Sequence, residues 1–304
     1  MKTLKHLDLF AGIGGFSEGL AGISKAVAAC ERLPSRRLIY SANHPGVPIV
    51  DDIKTMNGAD FGPVDLVTAG FPCQPWSQAN RQRPGKKGLD DPRGELIWDM
   101  LRVIREASPA YVMLENVSGI KKFLPHLKTI FRREGYFLQW RKWNLHEDFG
   151  LAQKRIRYYM VAWKKEVMPL DWPEPEPGRK QVLHDILELH PSKIYDVPPG
   201  TWDYWCAKFA LTGKGTQSFL PVVNELHEPI YTFTKTAGSD SRRFLVSVPG
   251  REQPRRMTIR EIKRSMGYPE DYAFPVGRTT ALESLGNSVS PLPVRLLGEA
   301  IKAA

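Results

Sequence analysis

The stretch DLFAGIGGFSEGL, residues 8–20, decides the fold, because it joins a strand to a helix through a turn rich in glycine. The residues that enter it, LKHLDL, are apolar enough for a strand in the interior of a sheet. Gly12, Gly14 and Gly15 allow the backbone to approach a ligand closely where a strand ends. Their spacing departs from GxGxxG, which weakens the prediction of a dinucleotide. A nucleoside-bearing ligand and a purely structural tight turn both remain open.

Strands and helices alternate through the first half of the chain. AVAACE and VDLVTAG have the composition of buried strands, and GELIWDMLRVIREA, residues 94–107, has apolar residues at helical spacing. The strand AYVMLEN, residues 110–116, follows that helix, and RIRYYMVAW, residues 155–163, is predicted as a later strand. This alternation predicts an α/β fold in which helices cover both faces of a parallel sheet.

The composition limits the classes of protein to which the chain can belong. No run approaches the roughly 18 uninterrupted apolar residues of a membrane span, and the first apolar run is too short for a signal peptide. The three cysteines, Cys30, Cys73 and Cys206, lie far apart in sequence, which argues against a zinc site or a disulfide framework. We therefore expect a soluble cytoplasmic protein that binds neither membrane nor metal.

The charge distribution favours an anionic partner. The chain has a formal net charge of +10, and residues 242–264 contain eight basic residues against Glu252 and Glu261 only. Further basic residues crowd residues 81–87. Clusters of this kind are also common on solvated surfaces, so charge alone does not identify the partner.

The composition and the periodicity of the sequence change after residue 165. The stretch MPLDWPEPEPGRK is rich in proline and polar residues, and the following ninety residues or so show weak periodicity and many turn signals. MTIREIKRSMG and PLPVRLLGEAIKAA then have helical character again. We expect a first domain at residues 1–165, a second at 166–256, and a return segment at 257–304 that completes the first.

Three side chains are candidates for chemistry at the ends of the predicted strands. Cys73, in TAGFPCQPWS, follows Pro72 in a stiff turn just after a buried strand, although an isolated cysteine is more often a small buried hydrophobe. Glu31 ends the second strand, where a carboxylate can accept hydrogen bonds from ribose hydroxyls or cap a surface helix. The stretch DDI, residues 51–53, offers a further carboxylate near the next strand end.

Six blocks of the sequence resemble, in order, the signature blocks of the DNA cytosine-5 methyltransferases. They are DLFAGIGGFSEGL (8–20), GFPCQPWS (70–77), ENV (115–117), QKRIR (153–157), REIKRSMGYP (260–269) and LGNSV (285–289). The resemblance covers residues 5–163 and the chain from residue 258 onward, and its compactness is similar to that of the bacterial or phage enzymes. It implies a Rossmann-like S-adenosylmethionine-dependent methyltransferase sheet with a second, smaller target-recognition domain.

The resemblance also implies which residues hold the cofactor, S-adenosyl-L-methionine, whose product is S-adenosyl-L-homocysteine. Glu31 is expected to hold the ribose and Asp52 the adenine. The full expected set is Asp8, Phe10, Ala11, Gly12, Ile13, Gly14, Gly15, Glu31, Asp52, Ile53, Pro72, Asn287, Ser288 and Val289.

For catalysis the resemblance implies Cys73, Glu115, Arg155 and Arg157. Carbon 5 of cytosine is a poor nucleophile, so a thiolate of Cys73 must add at C6 while an acid, Glu115, stabilises the charge at N3. The two arginines are expected to contact the target nucleotide, one near the cytosine carbonyl and the other near phosphate. The cytosine must leave the duplex to reach these groups.

The implied partner is double-stranded DNA, bound by a monomer that needs no other protein. The expected DNA contacts are Ser77, Arg81, Arg83, Lys86, Lys87, Gln153, Thr232, Arg242 and Arg243. The loop at residues 74–91 is expected to close over the DNA. In YTFTKTAGSDSRR, Thr232 and Phe233 stand where the family usually has threonine and leucine.

Two alternatives use the same fold. An RNA methyltransferase similar to the tRNA-methylating relatives would carry a Cys-Phe-Thr signature, which the sequence lacks. A non-catalytic DNA-binding homologue would tolerate loss of the catalytic set, yet Cys73, Glu115, Gln153, Arg155 and Arg157 are all present. The sequence does not predict the DNA recognition site, nor whether the chain serves a restriction-modification system, a phage or a regulatory role.

Overall fold

A seven-stranded sheet forms the centre of the computed structural model, which describes residues 3–72, 95–212, 223–235, 244–248 and 250–304. Two smaller sheets lie beside it. The strands of all three sheets are, in chain order, β1 (Leu4–Leu9), β2 (Ser24–Cys30), β3 (Ile49–Val50), β4 (Leu66–Ala69), β5 (Tyr111–Val117), β6 (Tyr136–Asn144), β7 (Gln153–Lys154), β8 (Ile156–Lys164), β9 (Val223–Asn224), β10 (Ile230–Tyr231), β11 (Leu245–Val246) and β12 (Arg255–Arg256).

The order of strands in this sheet is β3-β2-β1-β4-β5-β8-β6. The first five strands in that order are parallel, which confirms the predicted rhythm, whereas β8 runs antiparallel to both β5 and β6. The sequence order reverses between β1 and β4. In open α/β sheets ligands bind at the carboxyl ends of the strands beside such a reversal.

Helices cover both faces of the sheet. They are α1 (Gly15–Gly19), α2 (Pro34–Asn43), α3 (Leu96–Ala107), α4 (Leu124–Arg133), α5 (Leu145–Phe149), α6 (Leu183–Ile186), α7 (Pro199–Thr212), α8 (Ile259–Ser265), α9 (Arg278–Asn287) and α10 (Pro291–Ala303). Short 3₁₀ turns lie at Gly58–Phe61, Ser118–Lys122 and Lys193–Tyr195. The helices predicted at residues 94–107, 257–267 and 291–304 are confirmed as α3, α8 and α10.

The core is divided by the sheet. On one face α3 and α4 pack their apolar sides against Leu7, Leu9 and Val112. On the other face α1 and α10 pack together, and a Cβ added to Gly19 would lie 2.6 Å from the Cβ of Val294. This close approach requires glycine in α1. The end of the chain therefore forms part of the same layer as its beginning.

The remaining segments build smaller sheets beside the large one. Strand β10 pairs in parallel with β7, and β12, β11 and β9 form a three-stranded sheet. A further apolar cluster joins residues of this region, including Phe233 and Val246, to Leu151, Ile262 and Leu285. Within the described residues no helix is long and apolar enough to cross a membrane.

Candidate active site

The glycine turn between β1 and α1 is held in conformations that favour glycine. Phe10, Gly12 and Gly14 have φ angles of 53°, 59° and 91°. A Cβ added to Gly12 would meet only the carbonyl oxygen of Phe10, at 3.9 Å. The outer side of the turn therefore leaves room for a ligand beside Gly12.

Glu31 joins the end of β2 to this turn. Its Oε2 accepts a hydrogen bond from the Gly12 backbone N–H at 3.0 Å, and its Oε1 accepts one from Leu33 N–H at 2.8 Å. A carboxylate offers about four lone-pair positions, so these two bonds orient it and leave acceptor capacity for a hydroxyl of a ligand.

Asp52 and Ile53 follow β3 at the same edge of the sheet. The Glu31 N–H donates to the carbonyl of Val50 at 3.0 Å, which keeps the two strand ends together. The Asp52 Oδ1 accepts from Lys54 N–H at 3.0 Å, and the Ile53 side chain is buried. Two carboxylates thus lie in neighbouring turns, both beyond the carboxyl ends of parallel strands.

The return segment closes the turn from the other side. The Tyr268 hydroxyl donates to the carbonyl of Val289 at 3.0 Å, and a Cβ added to Gly15 would lie 2.4 Å from that same oxygen. Ser288 is buried and its hydroxyl donates to the Leu285 carbonyl, whereas Asn287 is exposed. Val289 therefore lies directly beside the glycine turn, and Asn287 and Ser288 precede it in the chain.

A buried ion pair lies at the carboxyl end of β5. The Nε of Arg157 is 3.0 Å from Oε1 of Glu115, and each side chain is 11% exposed. Burial raises the pKa of the Glu115 carboxyl, and the charges of Arg157 and Arg155 partly oppose that rise. A carboxyl group in this environment holds a proton more readily than one in water.

The end of β4 lies against the same carboxyl group. A Cβ added to Gly70 would be 3.9 Å from Oε2 of Glu115, and Asn116 Nδ2 donates to the Phe71 carbonyl at 3.1 Å. These contacts hold the chain as far as Pro72 beside β5. Cys73, the next residue in sequence, lies outside the described residues.

A cavity of about 340 Å³ opens next to this pair. Its lining residues are Val117, Ser118, Gly119, Lys154, Ile156, Arg157 and Thr232. The Thr232 hydroxyl donates to the Lys154 carbonyl at 2.7 Å, which ties the two walls together. The cavity combines two cationic side chains with an apolar wall.

A model of the family described as C-5 cytosine-specific DNA methylase matches residues 4–303. The chain belongs to this family. The family is S-adenosylmethionine-dependent, and the resemblance found in the six sequence blocks is confirmed over nearly the whole chain.

Individual relatives of this methylase agree with the family assignment. A type II methyltransferase of Neisseria lactamica is 32% identical over 311 residues, which cover 99% of this chain and 96% of the relative. One from Dactylococcopsis salina is 30% identical over 98% of this chain and 86% of the relative. Among solved structures, the Dnmt2 methyltransferase of S. pombe superimposes with a TM-score of 0.75 at 21% identity, covering 98% of both chains. That likeness confirms the α/β methyltransferase fold.

The structure of this methylase places Arg155 and Gln153 among protein partners. The Arg155 guanidinium is 1% exposed and donates to the carbonyls of Phe233, Gly286 and Ser288 at 2.7–3.2 Å. Gln153 is fully buried, donating to the Ser265 hydroxyl and accepting from the Phe233 N–H. Both side chains thus link segments of the protein, and their expected contacts with the nucleotide and with DNA stay predictions.

Two members of the expected cofactor set, Asp8 and Ile13, have buried side chains. Asp8 is fully buried and accepts hydrogen bonds from Thr68 Oγ1 at 2.8 Å and Ser17 Oγ at 2.9 Å. Burial raises its pKa to about 7. Ile13 is 1% exposed within the core. Both side chains are buried in the protein, and their expected place in the cofactor set stays a prediction.

Several expected residues of the methylase lie outside the described part of the chain. They are Cys73, Ser77, Arg81, Arg83, Lys86, Lys87, Arg242 and Arg243, with the rest of the loop at residues 74–91. Among the described residues, no group of three or more His, Cys, Asp or Glu side chains is arranged to hold a metal ion.

The sequence analysis did not single out several residues that build the site. Asn116, which holds the end of β4, belongs to the ENV block, and Lys154 lies inside QKRIR, so both stood next to recognised residues. Thr68 and Ser17 bind Asp8, but no local pattern links them, since residues 8 and 68 meet only when β1 pairs with β4.

Proposed function

We propose that this chain transfers a methyl group from S-adenosylmethionine to C5 of a cytosine in double-stranded DNA. The observation that carries the proposal is the buried Glu115–Arg157 pair, whose carboxyl group lies against Gly70, just after β4. Cys73 follows Gly70 by three residues in the sequence. An acid with a raised pKa and a thiol nucleophile are the two groups that addition to a pyrimidine ring needs.

The described residues fit the cofactor that the family uses. The open space beside Gly12 supports a cofactor at the end of β1, and the oriented Glu31 carboxylate suits ribose hydroxyls. Asp52 would accept from the adenine amino group, and the other expected contacts are Phe10, Ala11, Gly14, Gly15, Ile53, Pro72 and residues 287–289. When bound, S-adenosylmethionine supplies an electrophilic methyl group on sulfur.

Cys73, Glu115 and Arg157 each have a distinct part in the proposed reaction. Cys73 adds as a thiolate to C6 of the extruded cytosine, which makes C5 nucleophilic. After methyl transfer to C5, a base removes the C5 proton, and the C5–C6 double bond forms again as the Cys73 thiolate leaves C6. Glu115 in its protonated form donates to N3 and stabilises the charge that develops there. Arg157 holds the carboxyl group through Oε1 and leaves Oε2 facing the end of β4.

We propose that DNA binds across the cavity beside Arg157. Lys154 and Arg157 supply positive charge for phosphate, and the Thr232 hydroxyl lies on the opposite wall. Residues 166–256 would read the recognition sequence, with the loop at 74–91 and Arg242 and Arg243 as further contacts. The named relatives are type II methyltransferases, and we infer the same class here, acting in the cytoplasm as a monomer.

The experiment compares DNA and tRNA as methyl acceptors for the wild type. We expect label from S-adenosylmethionine to enter plasmid DNA only, and bisulfite sequencing to place it at cytosines within one short sequence. Cys73→Ser should bind DNA and cofactor but lose turnover by several orders of magnitude, because an alkoxide is scarce near neutral pH. Label in tRNA alone, or an active serine variant, would reject the proposal.

A further inference from the structure

The hydroxyl group of Tyr159 is buried without a hydrogen-bond partner among the described residues. Tyr159 lies on β8, is 1% exposed, and its Oη has no donor or acceptor within reach. Its ring packs against Trp143, with ring centroids 5.4 Å apart. That packing explains the ring but not the hydroxyl, since phenylalanine would fill the same space. A buried hydroxyl without a partner destabilises the fold, so its presence calls for another reason.

The position of Tyr159 connects it to the candidate active site. It lies directly opposite Glu115 in the antiparallel pairing of β5 with β8, and Arg157 precedes it by two residues on the same strand. Opposite residues share a face of the sheet with Cβ atoms about 4.5–5.5 Å apart, and residues two apart on a strand share a face as well. Glu115, Arg157 and Tyr159 thus form one layer.

A second unpartnered donor belongs to the same layer. The Nε of Arg155 is buried and has no hydrogen-bond partner among the described residues, although its two terminal nitrogens donate to three backbone carbonyls. Oε1 of Glu115 contacts Arg157, whereas Oε2 has no hydrogen bond within the described part of the chain. Buried donors near a carboxylate oxygen are the surroundings in which internal water is found, provided that two to four polar groups face it.

We propose that Tyr159 is a positioning residue for Glu115, acting through an internal water that receives the tyrosine hydroxyl and donates to the carboxyl group. The inference rests on the proposed function, because it assigns a further residue to the same acid. With Arg157 on Oε1 and the water on Oε2, rotation of the carboxyl group is prevented and its proton is held in line with N3 of the target base. The ring of Tyr159 keeps bulk solvent out of this layer.

The electrostatic surroundings fix the direction of the effect. The charged and titratable groups around Tyr159 are Glu115 on β5, Arg155 just before β8, Arg157 on β8, and Tyr268 after α8. Burial raises the pKa of Tyr159, so its hydroxyl is a neutral donor. A hydrogen bond to the ionised carboxyl group favours that form, so its loss raises the pKa of Glu115.

The test uses Tyr159→Phe, which removes only the hydroxyl, with Tyr158→Phe on the opposite face of β8 as the matched control. A carbon-13 NMR titration of the Glu115 carboxyl, assigned with Glu115→Gln, should move to higher pH in Tyr159→Phe and stay unchanged in the control. This readout needs no turnover. It therefore decides the inference even if the chain fails to methylate DNA, a failure that would count against the proposed function instead.

Kinetics and stability complete the test. We expect kcat of Tyr159→Phe on DNA to fall by about tenfold or more with KM for DNA within about twofold, because the acid is displaced while binding is intact. The melting temperature should fall by about 4 °C at most, because the ring still packs against Trp143 and only one hydroxyl–water hydrogen bond is lost. An unshifted titration would overturn the inference, as would a kcat that falls only together with a larger drop in the melting temperature.

Discussion

The substitution Asp8→Asn should stabilise the protein at neutral and alkaline pH, because Asp8 is a buried carboxyl group without a cationic partner among its hydrogen bonds. Its partners are Thr68 and Ser17, both neutral. Burial raises its pKa from an ordinary value of 3.8 to about 7. Asparagine keeps the shape, accepts from Thr68 through its oxygen and donates to Ser17 through its amide.

The magnitude follows from the linkage between protonation and folding. A carboxyl group whose pKa is higher in the folded than in the unfolded state costs no stability below the unfolded pKa, and its cost grows as pH rises toward the folded pKa. The shift of Asp8 corresponds to about 4 kcal/mol at pH 8, of which about 2.5 kcal/mol appears between pH 5 and pH 8. Asparagine has no such dependence.

Urea unfolding at a series of pH values between 5 and 8 measures this difference. The free energy of unfolding of Asp8→Asn minus that of the wild type should increase steadily with pH. An equivalent change at an exposed carboxyl group, Asp171→Asn, serves as the control and should give curves parallel to the wild type. Parallel curves for Asp8→Asn as well would show that Asp8 is ionised at no cost, and the argument from burial would fail.

Two further predictions concern charge. Arg155→Ala should lower the free energy of unfolding by about 3–5 kcal/mol, because it leaves three buried carbonyls without their hydrogen-bond donor. The salt dependence of DNA affinity should stay unchanged in this variant. A smaller salt slope would instead support a contact between Arg155 and phosphate. The double variant Lys121→Gln, Lys122→Gln should reduce the salt slope of DNA affinity by about two, because both lysines are exposed in the turn that begins with the cavity-lining Ser118 and Gly119. The control, Arg132→Gln with Arg133→Gln at the far end of α4, should leave this slope unchanged.

The parts of the site that the sequence predicted are local ones. The glycine turn, Glu31 after β2 and Glu115 at the end of β5 each follow a buried apolar strand, and such strands have a clear pattern in the sequence. Because parallel strands place their carboxyl ends at one edge, these residues could be brought together without knowledge of side-chain contacts.

Other features could not be predicted from local pattern. Strand β6, YFLQWRKWN, is an edge strand with exposed Phe137, Arg141 and Lys142, so it lacks the apolar character of the inner strands. The antiparallel direction of β8 leaves no mark on its periodicity, since a strand buried between two neighbours reads alike in either direction.

The burial of Arg155 could not be predicted from its local sequence. An arginine in a basic motif is normally exposed, which favours a contact with phosphate. The carbonyls that bind Arg155 belong to residues 233, 286 and 288, which are distant in sequence and meet only when the return segment packs beside β8. Tertiary packing thus buries Arg155, whose guanidinium connects three segments of the chain through hydrogen bonds.

This link has an electrostatic consequence for Glu115. Two guanidinium groups, Arg155 and Arg157, lie close to one carboxyl group, and their charges oppose its protonation while burial favours it. Burial is the larger effect, so the pKa of Glu115 lies above its ordinary value. An anion brought into the cavity beside Arg157 and Lys154 would compensate the guanidinium charge and weaken the opposing effect.

If DNA binds across this cavity as proposed, it should therefore raise the pKa of Glu115 further, because it brings phosphates beside Arg157. In the proposed mechanism the protonated acid is the active form, so activity should be lost as pH rises through that pKa. The pH profile of kcat/KM reports the free enzyme and that of kcat reports the complex with DNA. We expect the alkaline limb of the kcat profile to lie at higher pH than the alkaline limb of the kcat/KM profile. Lys154→Gln should reduce the pH difference between these two limbs. Coincident limbs in the wild type would mean that the phosphates leave the Glu115–Arg157 pair unaffected.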